Sequence, residues 1–365
     1  MGSALTRRLV DAGHRVTILD SLVAQVHGDA PHETSALLRS VADIADVRVG
    51  TVTSEDDLRA ALVDATVVVH LAAETGTGQS MYEISRYVET NVGGTGKLLD
   101  LLANEPHSVR RVVIASSRSV YGEGAYETED GTTVFPPHRS SDAMASGDFD
   151  VHVTAGDALT LIPTPETALL HPSSVYGITK QSQEALIMTA APTLGVESVA
   201  LRYQNVYGPG QSLKNPYTGI LSIFSTLIRQ GKAINIFEDG LESRDFVYVD
   251  DVVEATFLAC VDPRAAGHTF NVGSGVQTTV REVVDALILA FGTEVPVSVS
   301  GNFRLGDIRH NVADTTRIRQ TLGFTAAVPF EVGIRRFAEW VLTQPLETDG
   351  YERSLAEMAE RKLLK

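Results

Sequence analysis

Two periods of apolar residues alternate along the first half of the chain. Short runs rich in β-branched residues, typical of strands, alternate with stretches whose apolar residues recur at helical spacing. The strand-like runs cover residues 15–20, 47–49, 65–71, 112–115 and 198–202, and the helix-like stretches cover 3–12, 55–62, 87–102 and 174–190. The run at 65–71 is apolar enough for a strand buried on both faces. This alternation predicts parallel βαβ units, an α/β fold and a ligand site at the carboxyl ends of the strands.

The pattern changes after residue 205. Prolines and glycines at positions 209, 210, 216 and 219 mark loops, and shorter elements lead to a helix near 330–343. We expect residues 1–205 to form a sheet domain and residues 206–345 to form mainly a second, smaller lobe, with a discontinuous boundary between them. The tail, residues 346–365, is polar and mildly helical, and its sequence indicates no role.

The charge of the chain is concentrated in one segment. The 365 residues carry a formal net charge of −16. Half of that charge lies within residues 123–170, which contain nine acidic residues and one basic residue, Arg139. This segment has no sustained periodicity and is rich in glycine and proline, so we expect a solvated loop or a small insert in the sheet domain. The overall acidity argues against nucleic acid as a partner.

The cysteine content and the hydropathy limit the class of protein further. The single cysteine, Cys260, excludes an intramolecular disulfide and a metal site built from several cysteines. It lies in an apolar helical stretch, so we expect it to pack in the core. Neither a membrane-spanning run nor a signal peptide is recognisable. We therefore expect a cytoplasmic protein with no membrane partner.

The strongest candidate for chemistry is a tyrosine followed four residues later by a lysine, Tyr176 and Lys180. The two side chains should share one face of a helix for which Ser174 is a suitable N-cap. A neighbouring cation favours the phenolate, so Lys180 should lower the pKa of Tyr176 and make it a general acid or base near neutral pH. Ser116 and Ser117 end a predicted strand and could donate to the same substrate oxygen. The simpler interpretations, a surface pair and a polar turn, stay open.

Four motifs follow one another along the chain: Ser116-Ser117-Arg118-Ser119-Val120-Tyr121-Gly122, Tyr176-x-x-x-Lys180, residues 201–209 and residues 244–252. With them the chain resembles the extended short-chain dehydrogenase/reductases, and within these the NAD-dependent nucleotide-sugar epimerase/dehydratase family. The length of the insert and the segment 215–220 make it most similar to UDP-glucose and dTDP-L-rhamnose 4-epimerase-type proteins. The resemblance implies a Rossmann-like, doubly wound parallel sheet with a smaller C-terminal substrate lobe. It also implies a catalytic triad of Ser117, Tyr176 and Lys180.

The resemblance further implies NAD as the cofactor and a nucleotide-diphosphate sugar as the ligand. Asp20 ends a predicted strand and should bind the adenosine ribose, where a carboxylate disfavours the 2′-phosphate of NADP. The other positions that the resemblance assigns to the cofactor are Gly2, Leu71, Ala72, Ala73, Asn91, Ser116 and Tyr203. Those that it assigns to the nucleotide-sugar are Asn205, Arg244 and Arg304. Planar guanidinium groups suit a diphosphate, although solvated surface arginines are the alternative.

The sequence departs from the family pattern at its start. The family opens with a strand and Gly-x-x-Gly-x-x-Gly, whose glycines let a pyrophosphate approach a helix N-terminus. Gly2, 18 residues before Asp20, matches the third glycine. The first strand and the first two glycines have no counterpart, so we expect a sheet without that strand. A second departure is Thr51, where many relatives have an aspartate for the adenine edge.

The residues after Ser117 discriminate between reactions. Related 4,6-dehydratases have an Asp-Glu pair there and the family's decarboxylases have a glutamate at the second position, whereas this chain has Arg118 and Ser119. The remaining triad suffices for 4-epimerisation, in which C4 of the sugar is oxidised and then reduced on its opposite face. Asn311 lies where the family is said to limit bulky C2 substituents. Two alternatives stay open, an NAD(P)H-dependent 4-ketoreductase and a cofactor-poor binding protein.

The resemblance also bears on assembly and on metals. Family members commonly dimerise through two helices per subunit, and the candidates here are the stretches 87–102 and 174–190. We therefore expect a homodimer. Some relatives carry paired cysteines in the insert, but this chain has none there, so we expect no metal.

Overall fold

The fold is given by a computed structural model that describes residues 1–28, 30–154, 159–213, 215, 219–346 and 350–365. The predicted positions Gly156, Asp157, Pro216, Tyr217 and Thr218 lie outside the described residues. The α-helices are α1 (Gly2–Asp11), α2 (Ala24–His27), α3 (Pro31–Thr34), α4 (Ala36–Arg39), α5 (Glu55–Leu62), α6 (Thr77–Ser80), α7 (Ile84–Tyr87), α8 (Gly94–Asn104), α9 (Ser141–Ala145), α10 (Val175–Thr193), α11 (Ile220–Arg229), α12 (Val249–Val261), α13 (Val280–Phe291), α14 (Thr316–Leu322), α15 (Phe330–Leu342) and α16 (Tyr351–Glu360).

The strands are β1 (Thr17–Asp20), β2 (Asp46–Val49), β3 (Val67–His70), β4 (Arg111–Ser117), β5 (Tyr126–Glu127), β6 (Thr133–Val134), β7 (Thr160–Leu161), β8 (Glu197–Tyr203), β9 (Asn205–Tyr207), β10 (Ile234–Ile236), β11 (Ser243–Tyr248), β12 (Thr269–Val272), β13 (Gln277–Thr279) and β14 (Val297–Val299). A π-helix, Val88–Gly93, joins α7 to α8, and 3₁₀ turns cover Arg118–Val120 and Pro263–Ala265.

A four-stranded parallel sheet in the order β12-β8-β4-β3 forms the centre of the molecule. All seven residues of β4 are buried, because strands lie on both sides of it and helices cover both faces. One face packs against α8 and α10 through apolar side chains such as Leu98 and Ile187. The other packs against α12, where Cys260 is buried as predicted. The predicted α/β fold with a parallel sheet is therefore confirmed.

The strand β3 corrects one sequence expectation. It lies at the edge of the four-stranded sheet, so its outer side has no neighbouring strand within the described residues. Val67 is accordingly 38% exposed, and the prediction of a strand buried on both faces is wrong. Apolar composition indicates a strand, but burial depends on which strand lies beside it.

The strands β1 and β2 pair with each other in parallel, with Thr17 opposite Asp46 and Asp20 opposite Val49. Among the described strands neither is hydrogen-bonded to the four-stranded sheet. The first described strand is β1, and α1 precedes it. The helix α1 packs against α12, where the Arg8 guanidinium donates to the Glu254 carboxylate at 2.8 Å.

The C-terminal part of the chain contributes to both halves of the molecule. A three-stranded sheet in the order β13-β11-β9 and the parallel pair β10–β14 lie around an apolar cluster that includes Phe224, Val283 and Phe337. The strand β12 instead joins the four-stranded sheet beside β8. The division at residue 205 stays a prediction.

The acidic insert at 123–170 is more ordered than its composition suggested. The strand β5 pairs antiparallel with β6 and with β7. Glu123 and Glu166 are buried, and the Arg139 guanidinium donates to both carboxylate oxygens of Glu238 at 2.7 and 2.9 Å. The backbone amide of Arg309 donates to Glu123 at 2.7 Å. The prediction of a solvated loop is wrong for these residues, because Glu123 pairs with Arg139 at 3.3 Å and accepts from the Arg309 amide, and Glu166 accepts from the Asn271 amide at 2.8 Å.

The tail forms the helix α16 and an isolated antiparallel bridge between Arg304 and Leu364, which attach the C-terminus to the rest of the molecule. The Tyr82 hydroxyl donates to Glu357 in α16 at 3.1 Å. The backbones of Phe303 and Lys365 exchange hydrogen bonds of 2.8 and 3.0 Å, and the Lys365 amine donates to Ser141 in the insert. Among the described residues, no helix combines the length and apolar character needed to cross a membrane.

Candidate active site

The candidate catalytic residues meet where α10 begins beside the carboxyl end of β4. Ser174 caps α10, its hydroxyl accepting from the Gly177 amide at 3.1 Å, as predicted. Gly177 allows α10 to approach the 3₁₀ turn that follows β4. A Cβ at this position would lie 2.6 Å from the Ser119 carbonyl oxygen, closer than packed atoms come. This close approach places Tyr176 beside Ser117.

Ser117 and Tyr176 lie side by side, close enough for the Ser117 hydroxyl to stabilise the ionised phenol of Tyr176. Ser117 also accepts from the Ser119 hydroxyl at 2.9 Å, and the Tyr176 amide donates to Ser80 at 3.0 Å. Burial raises the pKa of Tyr176, whereas the Ser117 hydrogen bond and the Arg118 charge act in the opposite direction. The phenol is therefore protonated at neutral pH in this structure and is positioned to exchange its proton with a substrate oxygen.

Lys180 follows Tyr176 by one helical turn, as predicted, but its amine contacts a different residue. The amine donates to the Gln183 amide oxygen at 2.7 Å. Burial lowers the pKa of Lys180 to about 7, against the opposing effect of Glu184. The expectation that Lys180 lowers the pKa of Tyr176 is wrong for this structure, because burial dominates and Ser117 and Arg118 supply the favourable contacts.

Ser116 is directed away from Ser117 into a buried polar network. Its hydroxyl donates to the carboxylate of Glu184, which forms a buried ion pair with Arg202. Arg202 also donates to the Tyr121 hydroxyl at 2.8 Å, and that hydroxyl donates to Asn271 at 2.7 Å. Ser116 is predicted to lie beside the cofactor. In this structure its hydroxyl instead belongs to the buried polar network behind β4.

Asn91 lies in the π-helix between α7 and α8 and connects two parts of the site. Its amide oxygen accepts from the Glu74 amide at 2.7 Å. Its amide nitrogen donates to the Glu74 carbonyl at 3.1 Å and to the Thr179 hydroxyl at 2.9 Å. π-Turns inside helices are frequent at functional sites. Asn91 thereby fixes the loop after β3 against α10.

The residues assigned to the dinucleotide lie at the carboxyl ends of β1, β3 and β8. Asp20 ends β1, with its side chain 47% exposed and accepting from the Leu22 amide at 2.8 Å. Leu71, Ala72 and Ala73 follow β3 and are partly buried. Tyr203 ends β8, but its hydroxyl is buried against Thr256 at 2.8 Å.

Gly2 is the first residue of α1, whose first turn has no side-chain cap. A Cβ on Gly2 would lie 3.9 Å from Leu71, so the fold itself does not require glycine there. Uncapped amides at a helix N-terminus suit a pyrophosphate, and the exposed carboxylate of Asp20 suits ribose hydroxyls. The residues present therefore fit a dinucleotide.

The residues assigned to the nucleotide-sugar lie in the second half of the chain. Asn205 begins β9, and its amide oxygen accepts from Arg118 at 2.7 Å. The buried guanidinium of Arg244 donates to the Asp307 carboxylate at 3.2 Å and to the carbonyl of Ile308 at 2.8 Å. Arg304 stacks over the Phe237 ring at 4.8 Å.

Some of these groups lack partners. Within the described residues, the buried Nε of Arg304 and both amide atoms of the buried Asn311 have no hydrogen-bond partner. The hydroxyl of Tyr126, from the insert, is also buried and unpartnered in that part of the chain. Unsatisfied buried polar atoms are costly, so these atoms are candidates for contact with a polar ligand. Nowhere among the described residues do three or more His, Cys, Asp or Glu side chains form a group suited to a metal ion.

Sequence reasoning missed two contributors to this site. Arg118 was considered only as an unsuitable acid or base, yet its guanidinium links Asn205 to the surroundings of Tyr176. Burial lowers the pKa of Arg118 to about 10, which leaves it cationic at neutral pH. Gln183, the partner of Lys180, was also missed, although its spacing of three residues on a helix is a usable signal.

Comparison with known proteins agrees with this geometry. Residues 1–143 and 153–273 match the NAD dependent epimerase/dehydratase family, and the chain belongs to that family. It is 35% identical to a dTDP-L-rhamnose 4-epimerase of Burkholderia thailandensis, over 93% of this chain and 92% of the relative. It is 30% identical to a UDP-glucose 4-epimerase of Mycolicibacterium smegmatis, over 93% and 95%. The structure of a UDP-glucose 4-epimerase from Thermotoga maritima with UDP-glucose superposes with a TM-score of 0.74 at 27% identity, covering 93% and 95%.

Proposed function

We propose that this protein is an NAD-dependent nucleotide-sugar 4-epimerase. The observation that carries the proposal is the juxtaposition of Ser117, at the end of β4, and Tyr176, on the first turn of α10, with Lys180 one helical turn further on. The pair provides a proton donor and acceptor without the acidic residues that elimination or decarboxylation requires. The relatives named above, which are 4-epimerases, support the same reaction.

The mechanism follows from what each side chain can donate or accept. NAD, held by Gly2, Asp20 and residues 71–73, would supply reversible hydride chemistry at C4 of the sugar. In its deprotonated form Tyr176 would accept the proton of the C4 hydroxyl during oxidation and return it during reduction, so a nearby positive charge must offset the burial that raises its pKa. Ser117 would donate a hydrogen bond to the same oxygen. Because the hydride and the proton are both returned, no external reductant is consumed.

The contacts of Arg304, Arg244 and Asn311 with the substrate stay predictions, and a different observation supports each of them. The Nε of Arg304 has no partner among the described residues and suits a diphosphate oxygen. Arg244 already donates to backbone carbonyls, so its contribution would be its charge and the shape of the loop at 307–309. Asn311 and Tyr126 offer unpartnered polar atoms to sugar hydroxyls. A carboxamide at Asn311 would limit the room for a sugar substituent.

The test is to incubate the purified protein separately with dTDP-L-rhamnose and UDP-glucose and to follow C4 configuration by NMR. Mass spectrometry and absorbance of the same preparation measure bound dinucleotide. Co-purifying NAD, inversion at C4 and no net change in NADH support the proposal. Stoichiometric NADPH or NADH oxidation would instead indicate a 4-ketoreductase. Absence of both dinucleotide and turnover would exclude both enzymes and favour a binding protein.

A homodimer and a cytoplasmic location also stay predictions. Apolar side chains on α7, the π-helix and α10 support the dimer: Ile84, Val88 and Ile178 are 50%, 44% and 51% exposed. These elements pack against one another and would supply two helices of a four-helix interface. Ile178→Asp should convert a dimer to a monomer in light scattering. The control Leu289→Asp, at a residue 83% exposed on α13, should leave the mass unchanged. A dimer that survives Ile178→Asp contradicts this interface.

A further inference from the structure

The amine of Lys180 is held inside the protein by a neutral group. It donates to the Gln183 amide oxygen at 2.7 Å, and the two residues are 3% and 0% exposed. Within the described part of the chain this amine has no second hydrogen-bond partner and no ion pair. A buried ammonium normally requires a carboxylate, so a carboxamide as its partner is unusual.

The amide of Gln183 is itself fixed by neighbouring groups. Its nitrogen donates to the Thr95 hydroxyl at 2.9 Å and lies 3.3 Å from Nε2 of His70. The Thr95 hydroxyl donates to the carbonyl of Asn91 at 2.6 Å. These contacts occupy the nitrogen side of the amide, so its oxygen faces Lys180. The orientation of Gln183 is therefore determined by the network and not by Lys180 alone.

Charged and titratable groups surround Lys180 from each packed element. On α10 these are Glu184 and Tyr176, and from the end of β3 the buried His70, whose pKa burial lowers to about 3. Glu184 is committed to Arg202 on β8 and to Ser116 on β4. The nearby carboxylate is thus already paired, and His70 is neutral. Gln183 is the group that directly contacts the amine.

We propose that Gln183 is a positioning residue for Lys180, whose amide oxygen holds the amine beside α10 without a counter-charge. A carboxylate in the same place would keep the lysine protonated and would resist its movement toward a bound dinucleotide. An apolar side chain would leave the amine unsatisfied. The kinetic consequence rests on the proposed epimerase function, whereas the titration of Lys180 does not.

The experiment measures the titration of Lys180 directly in the full chain. The sequence contains six lysines, so NMR of protein with labelled lysine gives few side-chain signals, and Lys180→Met assigns one of them. In the unsubstituted protein the pKa of Lys180 should lie at about 7. Gln183→Glu should raise this midpoint by more than one pH unit, and Gln183→Leu should lower it. Gln181→Glu adds the same charge two residues earlier on α10 and should shift the midpoint far less.

The kinetic readout is the pH profile of kcat/KM for epimerisation. In Gln183→Glu, the limb of this profile that follows the titration of Lys180 should shift in the same direction as the Lys180 midpoint. The value of kcat should change more than that of KM. Gln183→Met replaces Gln183→Leu should the latter fail to fold. A Lys180 midpoint unchanged in folded Gln183→Glu and in the apolar variant overturns the proposal. Shifted midpoints without epimerisation would leave the positioning role intact and refute the proposed function instead.

Discussion

The catalytic end of the site and its dinucleotide end are built differently. At the catalytic end the Ser117 hydroxyl, the Tyr176 backbone amide and the Lys180 amine have protein partners, and a layer of buried polar groups lies behind them. At the dinucleotide end Asp20 is half exposed on a two-stranded sheet, and the first turn of α1 is uncapped. Groups that transfer protons gain from fixed orientation, because reorientation would add to the barrier. Groups that bind a large ligand gain from being left free to meet it.

The largest expected effect tests whether the fixed hydroxyl pair performs the chemistry. Tyr176→Phe removes the proton that would be exchanged and should lower kcat by about 10²–10⁴-fold or more. The loss of stability should be small, because the ring is retained. Steady-state kinetics and thermal unfolding of the same preparation measure both. Tyr351→Phe in α16 is the matched control, and near-normal turnover in Tyr176→Phe would refute the proton-transfer role.

The next prediction compares the loss of stability when an ion pair is broken at the catalytic end with the loss when one is broken at the dinucleotide end. Glu184→Ala leaves the buried Arg202 guanidinium without its carboxylate and should reduce the free energy of unfolding by about 3–5 kcal/mol. Glu254→Ala removes the exposed partner of Arg8 on α1 and should cost less than about 1 kcal/mol. Urea unfolding of both variants measures the difference. Equal losses would contradict the contrast between a preorganised and an open end.

The contrast also explains what could be predicted from sequence. The strands and α10 were predictable because hydrophobic periodicity and the Ser174 cap are local signals. The order of Glu123 in the insert was not, because its partner amide belongs to Arg309, far along the chain. The exposure of β3 likewise depends on its place at the sheet edge. The partner of Lys180 depends on the competition between Tyr176 and Gln183, which only packing decides.

A smaller effect concerns the pH dependence of stability that the buried His70, near Lys180, should cause. Burial, assisted by the charge of Lys180, lowers the pKa of His70 from 6.5 to about 3. Between these values the unfolded chain binds a proton that the folded protein does not, so stability falls as pH falls. From about pH 6.5 to about pH 4.5 this contributes roughly 2–3 kcal/mol.

His70→Asn should remove that contribution and flatten the acid limb of a stability curve measured by urea unfolding at each pH. His32→Asn, at an exposed position in α3, should keep the slope of the unsubstituted protein. A His70→Asn curve parallel to that of the unsubstituted protein would show that another group controls the acid limb.

The smallest expected effect is a change in dinucleotide affinity at the exposed, dinucleotide end of the site. Asp20→Asn removes a charge from a half-exposed side chain, so it should weaken NAD binding by only about tenfold, slightly less than is typical for a buried hydrogen bond to a charged group. It should also narrow the preference for NAD over NADP, because the repulsion of a 2′-phosphate is lost. Calorimetric titration with both dinucleotides measures the two affinities. Asp46→Asn, at the start of β2 on the opposite end of the same two-stranded sheet, should change neither. If Asp20→Asn destabilised the fold as Glu184→Ala is expected to do, the carboxylate would be part of the protein's own structure, and the dinucleotide end could no longer be regarded as a surface left open for its ligand.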